Sequence, residues 1–233
     1  MSAARLGRPR LHLREVDSTN LRARALALAG APHGTLVTAT SQTAGRGRQG
    51  RSWTAPPGRA LIASLVLRDA PALLPLAAAV AVAEVAGEGA RVKWPNDVLV
   101  GPADPPAGKV AGILAEARPQ EGWAVLGIGL NVAVRPQDLP ADVRGRAGTL
   151  GLEPDAVEPT LERLLGALEH WLAAPDAAVL DALRARDALA GRDVAWAGGH
   201  GIARGIDAAG RLVVERADGT CTALDAGEVH LAR

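Results

Sequence analysis

The sequence has no phenylalanine and no tyrosine, one cysteine and one methionine. A lone thiol, Cys221, excludes an intrachain disulfide framework and a cysteine metal cluster, and it fits a reducing, cytoplasmic compartment. The start lacks the apolar core of a signal peptide. The alanine-rich run Leu73–Ala86 is too short and too weakly apolar to span a membrane. An excess of one charge is missing too: 26 basic against 25 acidic residues leave a formal net charge of +1. That balance argues against a protein whose affinity rests on many phosphate contacts along DNA. Lysine and asparagine are scarcer still. There are 24 arginines but only two lysines, Lys93 and Lys109, and only three asparagines, Asn20, Asn96 and Asn131. Compositional bias in the genome accounts for arginine in place of lysine. The survivors then mark positions where ammonium or amide chemistry has no substitute, and all five fall in short, patterned stretches.

What is present is an apolar fraction of 48% in 233 residues, enough for a sizeable core and for one domain with a small second one. The most distinctive stretch is Ser41-Gln42-Thr43-Ala44-Gly45-Arg46-Gly47-Arg48-Gln49-Gly50-Arg51-Ser52-Trp53. Its glycines let a ligand approach the backbone, and its arginines are fixed forks for phosphate or carboxylate. It lies between strand-like runs, Leu36–Ala39 and Ala60–Leu67, so it reads as an anion cradle or as a solvated turn.

Other stretches are read in chain order. Leu11–Leu13 is strand-like, and the basic residues Arg5, Arg8 and Arg10 around it read as a frayed tail. Asp17-Ser18-Thr19-Asn20 precedes helix-forming Leu21–Ala29; these residues suit an N-cap, a role compatible with a ligand site at the helix start. Pro75–Ala86 predicts an apolar helix. Arg91-Val92-Lys93-Trp94-Pro95-Asn96-Asp97-Val98 predicts strand, tight turn and strand. Lys109–Glu116 predicts a strand with Lys109 at its mouth. Trp123–Val134 predicts a strand in which Gly127, Gly129 and Asn131 share a face, and alternating glycines there signal close approach by a ligand or another group. Helices are predicted over Thr160–Ala173 and Asp176–Ala190. After Gly191 come short strands with glycine turns, the pattern of a small barrel. The expected division is 1–190 and 191–233.

Taken together, these stretches resemble the biotin protein ligase family. The resemblance rests on Ser18-Thr19-Asn20, the Gln42–Trp53 loop, Val92–Asp97, Lys109-Val110-Ala111-Gly112-Ile113-Leu114 and Gly127–Asn131, in the family's order, with Ile202–Asp207 resembling its C-terminal barrel. It implies an α+β catalytic domain, a mixed β-sheet flanked by helices as in class II synthetases, followed by an SH3-like β-barrel. It implies that biotin and ATP, with Mg²⁺, form biotinyl-5′-AMP, and that biotin then passes to a lysine of the biotin carboxyl carrier protein of acetyl-CoA carboxylase. By the same resemblance Ser18, Thr19, Asn20, Gln42, Arg46, Gly47, Arg48, Lys109 and Gly112 would bind biotin. Arg48, Arg51, Trp53, Lys93, Asn96, Lys109 and Asn131 would bind ATP or the adenylate. Lys109, Arg48, Arg46 and Asp97 would carry catalysis, Asp97 either holding Mg²⁺ or orienting the acceptor amine.

Two departures from larger relatives stand out. About ten residues precede the first predicted strand, so no winged helix-turn-helix and no operator binding are expected. At Ala147-Gly148-Thr149-Leu150, where some relatives place an aromatic residue beside adenine, this chain has none. A monomer or a homodimer is equally compatible with the sequence. The competing readings are a lipoate ligase or octanoyltransferase, a non-catalytic biotin sensor or regulator, and a plain interaction domain.

Overall fold

The computed structural model describes residues 5–102, 108–225, 227 and 229–231. Two apolar runs, β3 (Ala60–Arg68) and β7 (Trp123–Asn131), pair antiparallel along their whole length and form the middle of the main sheet. Both are buried on both faces, which is why their sequences are nearly continuous in apolar residues. Around them stand β1 (Arg10–Val16), β2 (Leu36–Gln42), β4 (Arg91–Lys93), β5 (Asp97–Val100) and β6 (Gly108–Arg118). The strand order is β1-β2-β3-β7-β6-β5-β4. β1 and β2 are parallel and the remaining neighbours antiparallel, so the sheet is mixed.

The helices are α1 (Thr19–Leu28), α2 (Leu74–Ala86), α3 (Ala141–Arg144), α4 (Val157–Ala173) and α5 (Asp176–Ala185). On one sheet face α2 packs against β5 and β6, α4 against β3, and both α4 and α5 against α2. The small side chains of α2 let nearly all of it be buried. Leu161, Leu164 and Leu168 give α4 the apolar stripe that covers this core. The other face is covered only in part. There Ala23 and Ala27 of α1 rest on Val37, Val66, Trp123 and Val125. Further along the same face, β7 carries Gly127, Gly129 and Asn131, and the apolar cover ends.

Five short strands follow: β8 (Asp193–Trp196), β9 (Gly199–Ile206), β10 (Leu212–Glu215), β11 (Cys221–Leu224) and β12 (His230–Leu231). They form an antiparallel sheet in the order β11-β10-β9-β8-β12, the strands of the expected SH3-like unit. Val194, Ala203, Leu212 and Val214 join the same apolar core as α2 and α4. The turn between β9 and β10 is pressed onto the main sheet: Trp94 Nε1 donates to the Gly210 carbonyl at 3.0 Å.

The structure corrects three local expectations. α5 stops at Ala185, short of Ala190, because the next residues extend the sheet edge: Val92 N donates to Arg186 O (2.8 Å) and Ala188 N to Val92 O (2.9 Å). Arg10 is no frayed tail; it opens β1, donates to Thr38 Oγ1 and pairs with Glu158. β12 has no counterpart in the sequence reading, being two residues long.

Candidate active site

The bare half of the sheet is the floor of a cavity of about 520 Å³. Ser18, Thr19, Asn20, Gln42, Arg46, Gly47, Arg48, Arg51, Trp53, Lys93, Asn96, Asp97, Lys109, Gly112 and Asn131 all line it. The chain thus brings together every residue singled out from the sequence. The two glycines of the floor are required by side chains laid across them. A Cβ at Gly127 would collide with the amide of Asn20, and one at Gly129 with the indole of Trp53.

The closed end of the cavity is polar. Ser18 occupies the N-cap position of α1 but makes no capping side-chain bond, contrary to the capping expectation. Thr19 and Asn20, both buried, turn their side chains into a network instead. Gln42 Oε1 accepts from Thr19 N (2.7 Å) and lies 3.1 Å from Thr19 Oγ1. Ser64 Oγ lies 2.8 Å from Thr19 Oγ1 and 2.6 Å from Asn20 Oδ1, and Asn20 Nδ2 donates to Glu116 Oε2 at 3.1 Å.

The other end is basic. The Gly/Arg loop closes as a hairpin, with Trp53 N donating to Gly45 O (2.9 Å) and Gly47 N to Arg51 O (2.7 Å). Gln49 and Gly50, at φ 55° and 73°, turn the chain at its tip. Arg48 Nη1 reaches across to Asn96 Oδ1 at 2.8 Å. Asn96 is itself fixed by a bond from its Nδ2 to Ile113 O (3.2 Å).

Lys109 reaches the cavity through an irregularity. Simple alternation would put it on the core face of β6 with Ala111 and Ile113. In the β5–β6 pairing, however, Val98 faces Ala111 while Leu99 faces Lys109, so Val110 is an extra residue. The bulge moves Lys109 to the face of Gly112. Its Nζ lies 2.6 Å from Asp97 Oδ1 and 5.8 Å from the centroid of the Trp53 ring. The start of the Ala147–Leu150 stretch, the position compared above with the adenine side of relatives, straps this end: Lys109 N donates to Arg146 O (2.7 Å) and Gly148 N to Lys109 O (2.8 Å). Asn131 Nδ2 donates to Gly148 O (2.9 Å), while its buried Oδ1 has no hydrogen-bond partner.

The sequence and the fold that carry this site match known proteins. Residues 13–132 match the biotin/lipoate A/B protein ligase family, and residues 199–231 match the biotin protein ligase C-terminal domain. The chain belongs to the biotin protein ligase family. A biotin–[acetyl-CoA-carboxylase] ligase of Paracoccus denitrificans is 37% identical over 235 residues, covering 87% of this chain and 92% of the relative. The protein of that name from Mycobacterium tuberculosis is 37% identical over 241 residues, covering 93% and 87%. The bifunctional ligase/repressor BirA of Bacillus subtilis is 38% identical over 169 residues, 67% of this chain. The match spans about half of that relative, 49% of its length. Among solved structures, the biotin protein ligase of Aquifex aeolicus in complex with biotin and ATP superposes with a TM-score of 0.77 at 27% identity, covering 97% and 99% of the two chains.

Within this family frame, the residues missed from sequence are informative. Ser64 and Glu116 are members of the cleft network, and His230 and Leu231 bring the C-terminal sheet to the cavity rim. A serine or glutamate inside a strand has no local signature, although Glu116 does share the parity of Gly112. Among the described residues no three His, Cys, Asp or Glu side chains converge to hold a metal. Asp97 is a single carboxylate beside the basic end, a donor set that fits Mg²⁺ only when phosphates complete its shell.

Proposed function

We propose that the chain is an ATP-dependent biotin–protein ligase acting on the biotin carboxyl carrier protein of acetyl-CoA carboxylase. The observation that carries this reading is the bulge-set position of Lys109, between a polar cleft and the Gly/Arg loop. In the first step a biotin carboxylate oxygen attacks the α-phosphorus of ATP, and the bond to pyrophosphate breaks. Two anions must meet, so fixed positive charge and alignment set the rate. Lys109, a compact point charge, follows the charge from carboxylate to phosphate, while Arg46 and Arg48 hold the oxygens from the loop. In the second step the carrier lysine's neutral amine attacks the acyl carbon. The acyl–phosphate bond breaks, AMP leaves with the electron pair, and the amine loses its proton.

Thr19, Asn20, Gln42 and Ser18 would bind the ring of biotin, whose urea supplies both donors and an acceptor. The dithiolane of lipoate offers no donor to the acceptors of this network, so the cleft favours biotin. Gly112 keeps the floor low beside Lys109; a Cβ there would lie 3.2 Å from Lys109 Nζ and 3.2 Å from the Trp53 ring. Asn131 Oδ1, buried and unpartnered, suits the amino group of adenine. Trp53, Lys93, Arg51 and Asn96 would complete the nucleotide side. Mg²⁺ held by Asp97 and the phosphates would neutralise phosphate charge. Residues 1–190 form the catalytic unit in this reading, with 191–233 as the barrel. No described helix is long and apolar enough to cross a membrane. The test is incubation with ATP, Mg²⁺, biotin and a carrier domain. A mass gain of one biotinyl group on the carrier supports the proposal, and an unmodified carrier with intact ATP refutes it.

A further inference from the structure

A glutamate outside every motif joins the two ends of the cavity wall. Glu116 alternates along β6 with Gly112 and Leu114, which line the cavity. Its oxygens serve different groups: Oε2 accepts from Asn20 Nδ2 at 3.1 Å, and Oε1 lies 3.8 Å from Arg46 Nη1. Asn20, only 4% exposed, is laid across three strands, with Ser64 of β3 on one side, Gly127 of β7 beneath and Glu116 of β6 on the other.

An ionised carboxylate can only accept hydrogen bonds. Asn20 must therefore turn its NH₂ to Glu116 and its Oδ1 to Ser64. Oδ1 also only accepts, so the single Ser64 proton goes to it, across 2.6 Å. The Thr19 proton then goes either to Ser64 Oγ, 2.8 Å away, or to Gln42 Oε1, 3.1 Å away. Both hydroxyl protons are thereby committed within the protein, and Thr19, which lines the cavity, shows it lone pairs. A ligand group facing Thr19 must donate.

We propose that Glu116 is a positioning residue with two tasks: it sets the donor–acceptor direction of this buried chain, and it seats Arg46 of the Gly/Arg loop over the cavity. The ligand is biotin only if the ligase reading holds; the direction of the chain is a property of the free protein.

The scarcity of asparagine makes the first task measurable without ligand. Protein labelled with ¹⁵N on asparagine shows three side-chain amides, for Asn20, Asn96 and Asn131; Asn20→Asp identifies the first by its loss. In the unmutated chain one Asn20 amide proton is expected downfield and slow to exchange. Glu116→Gln keeps the volume but removes the charge, and it is expected to shift that proton upfield and speed its exchange. An unmoved Asn20 resonance overturns the first task, as does a collapse of all three amides, which would mark Glu116 as structural only.

Biotin and the adenylate then separate the two tasks. Glu116→Gln should weaken biotin binding by about tenfold, the effect of exchanging a charged, acceptor-only partner for a neutral amide that can turn either its oxygen or its NH₂ to Asn20. The exchange Asn20→Asp with Glu116→Gln rebuilds the bond in the opposite direction: the new amide at position 116 donates to the new carboxylate at position 20, while Ser64 still donates to that carboxylate. It should restore biotin Kd to within about threefold, a margin below the loss of one such bond. Neither variant restores the partner of Arg46. Both should release the adenylate about threefold faster, the scale of a partly exposed ion pair. Failure of the exchange to recover biotin binding overturns the first task, and unchanged adenylate release in both variants overturns the second. An unmutated chain that binds no biotin would sink the ligase reading while leaving the amide result standing.

Discussion

Replacing Lys109 with alanine is expected to slow adenylate formation by roughly 10²–10³-fold and to leave the fold in place. The magnitude follows from the charges involved. Two unit charges about 4 Å apart in a site of effective dielectric about 20 interact by roughly 4 kcal/mol, close to three powers of ten in rate. That is the scale of the carboxylate–phosphate repulsion that the ammonium offsets, and Arg46 and Arg48 retain part of the compensation. The structural cost is smaller. The Lys109–Asp97 pair keeps 32% and 15% of its side-chain surfaces exposed. The oxygen left behind, Asp97 Oδ1, is nevertheless buried, so a loss of about 1–3 kcal/mol is expected. The assay is single-turnover pyrophosphate release with biotin and ATP. The added variant Lys109→Arg keeps a positive charge beside Asp97 and separates the explanations. If Lys109 only neutralises Asp97, arginine recovers the rate; if a compact ammonium acts on the reacting oxygens, the variant stays slow. Recovery, or an alanine variant within tenfold of the parent, would refute the reasoning.

Three further outcomes are expected. Arg48→Gly removes the reach to Asn96 at 2.8 Å that holds the loop across the cavity; the adenylate should escape sooner and label unrelated lysines, and unchanged background labelling on a mixed-protein blot would count against this role. Gly129→Ala drives a methyl group into the Trp53 indole; ligand affinity should fall at least about tenfold with a change in tryptophan emission, since overpacking costs about 1–3 kcal/mol, and unaltered emission and affinity would show that the indole does not rest there. Burial pushes the Asp187 carboxyl above its ordinary range, against weaker hydrogen bonds from Leu189 and Ala190 that lower it. A raised carboxyl binds its proton more tightly in the folded chain, so stability is expected to fall as pH rises from the ordinary carboxylate value through the raised one, then level off. Asp187→Asn should flatten this part of the curve of Tm against pH, just above the ordinary carboxylate range, and parallel curves would contradict it.

Much of this was legible along the chain because it depends on local pattern. The buried strands β3 and β7 announce themselves by apolar continuity, α4 by its leucine spacing, and the glycine face of β7 by alternation. The loop was legible from its interleaved glycines and arginines, and five cavity residues for a different reason: lysine and asparagine are so rare here that their positions carry meaning. What could not be read locally depends on partners distant in sequence. Thr19 and Asn20 look like helix caps until Gln42, Ser64 and Glu116 are folded against them. Asp187 looks helical until Val92 offers a sheet edge.

Lys109 marks the division most sharply. The sequence by itself determined that an ammonium stands at the mouth of a strand, within a chain that almost always uses arginine. Only the tertiary structure decided which way it points. Strict alternation sends it into the core with Ala111 and Ile113, where a charge is costly to bury. The extra residue Val110, accommodated because β5 pairs Val98 with Ala111 and Leu99 with Lys109, turns it into the cavity. Register between strands is a long-range property set by packing, and no short stretch of sequence encodes it.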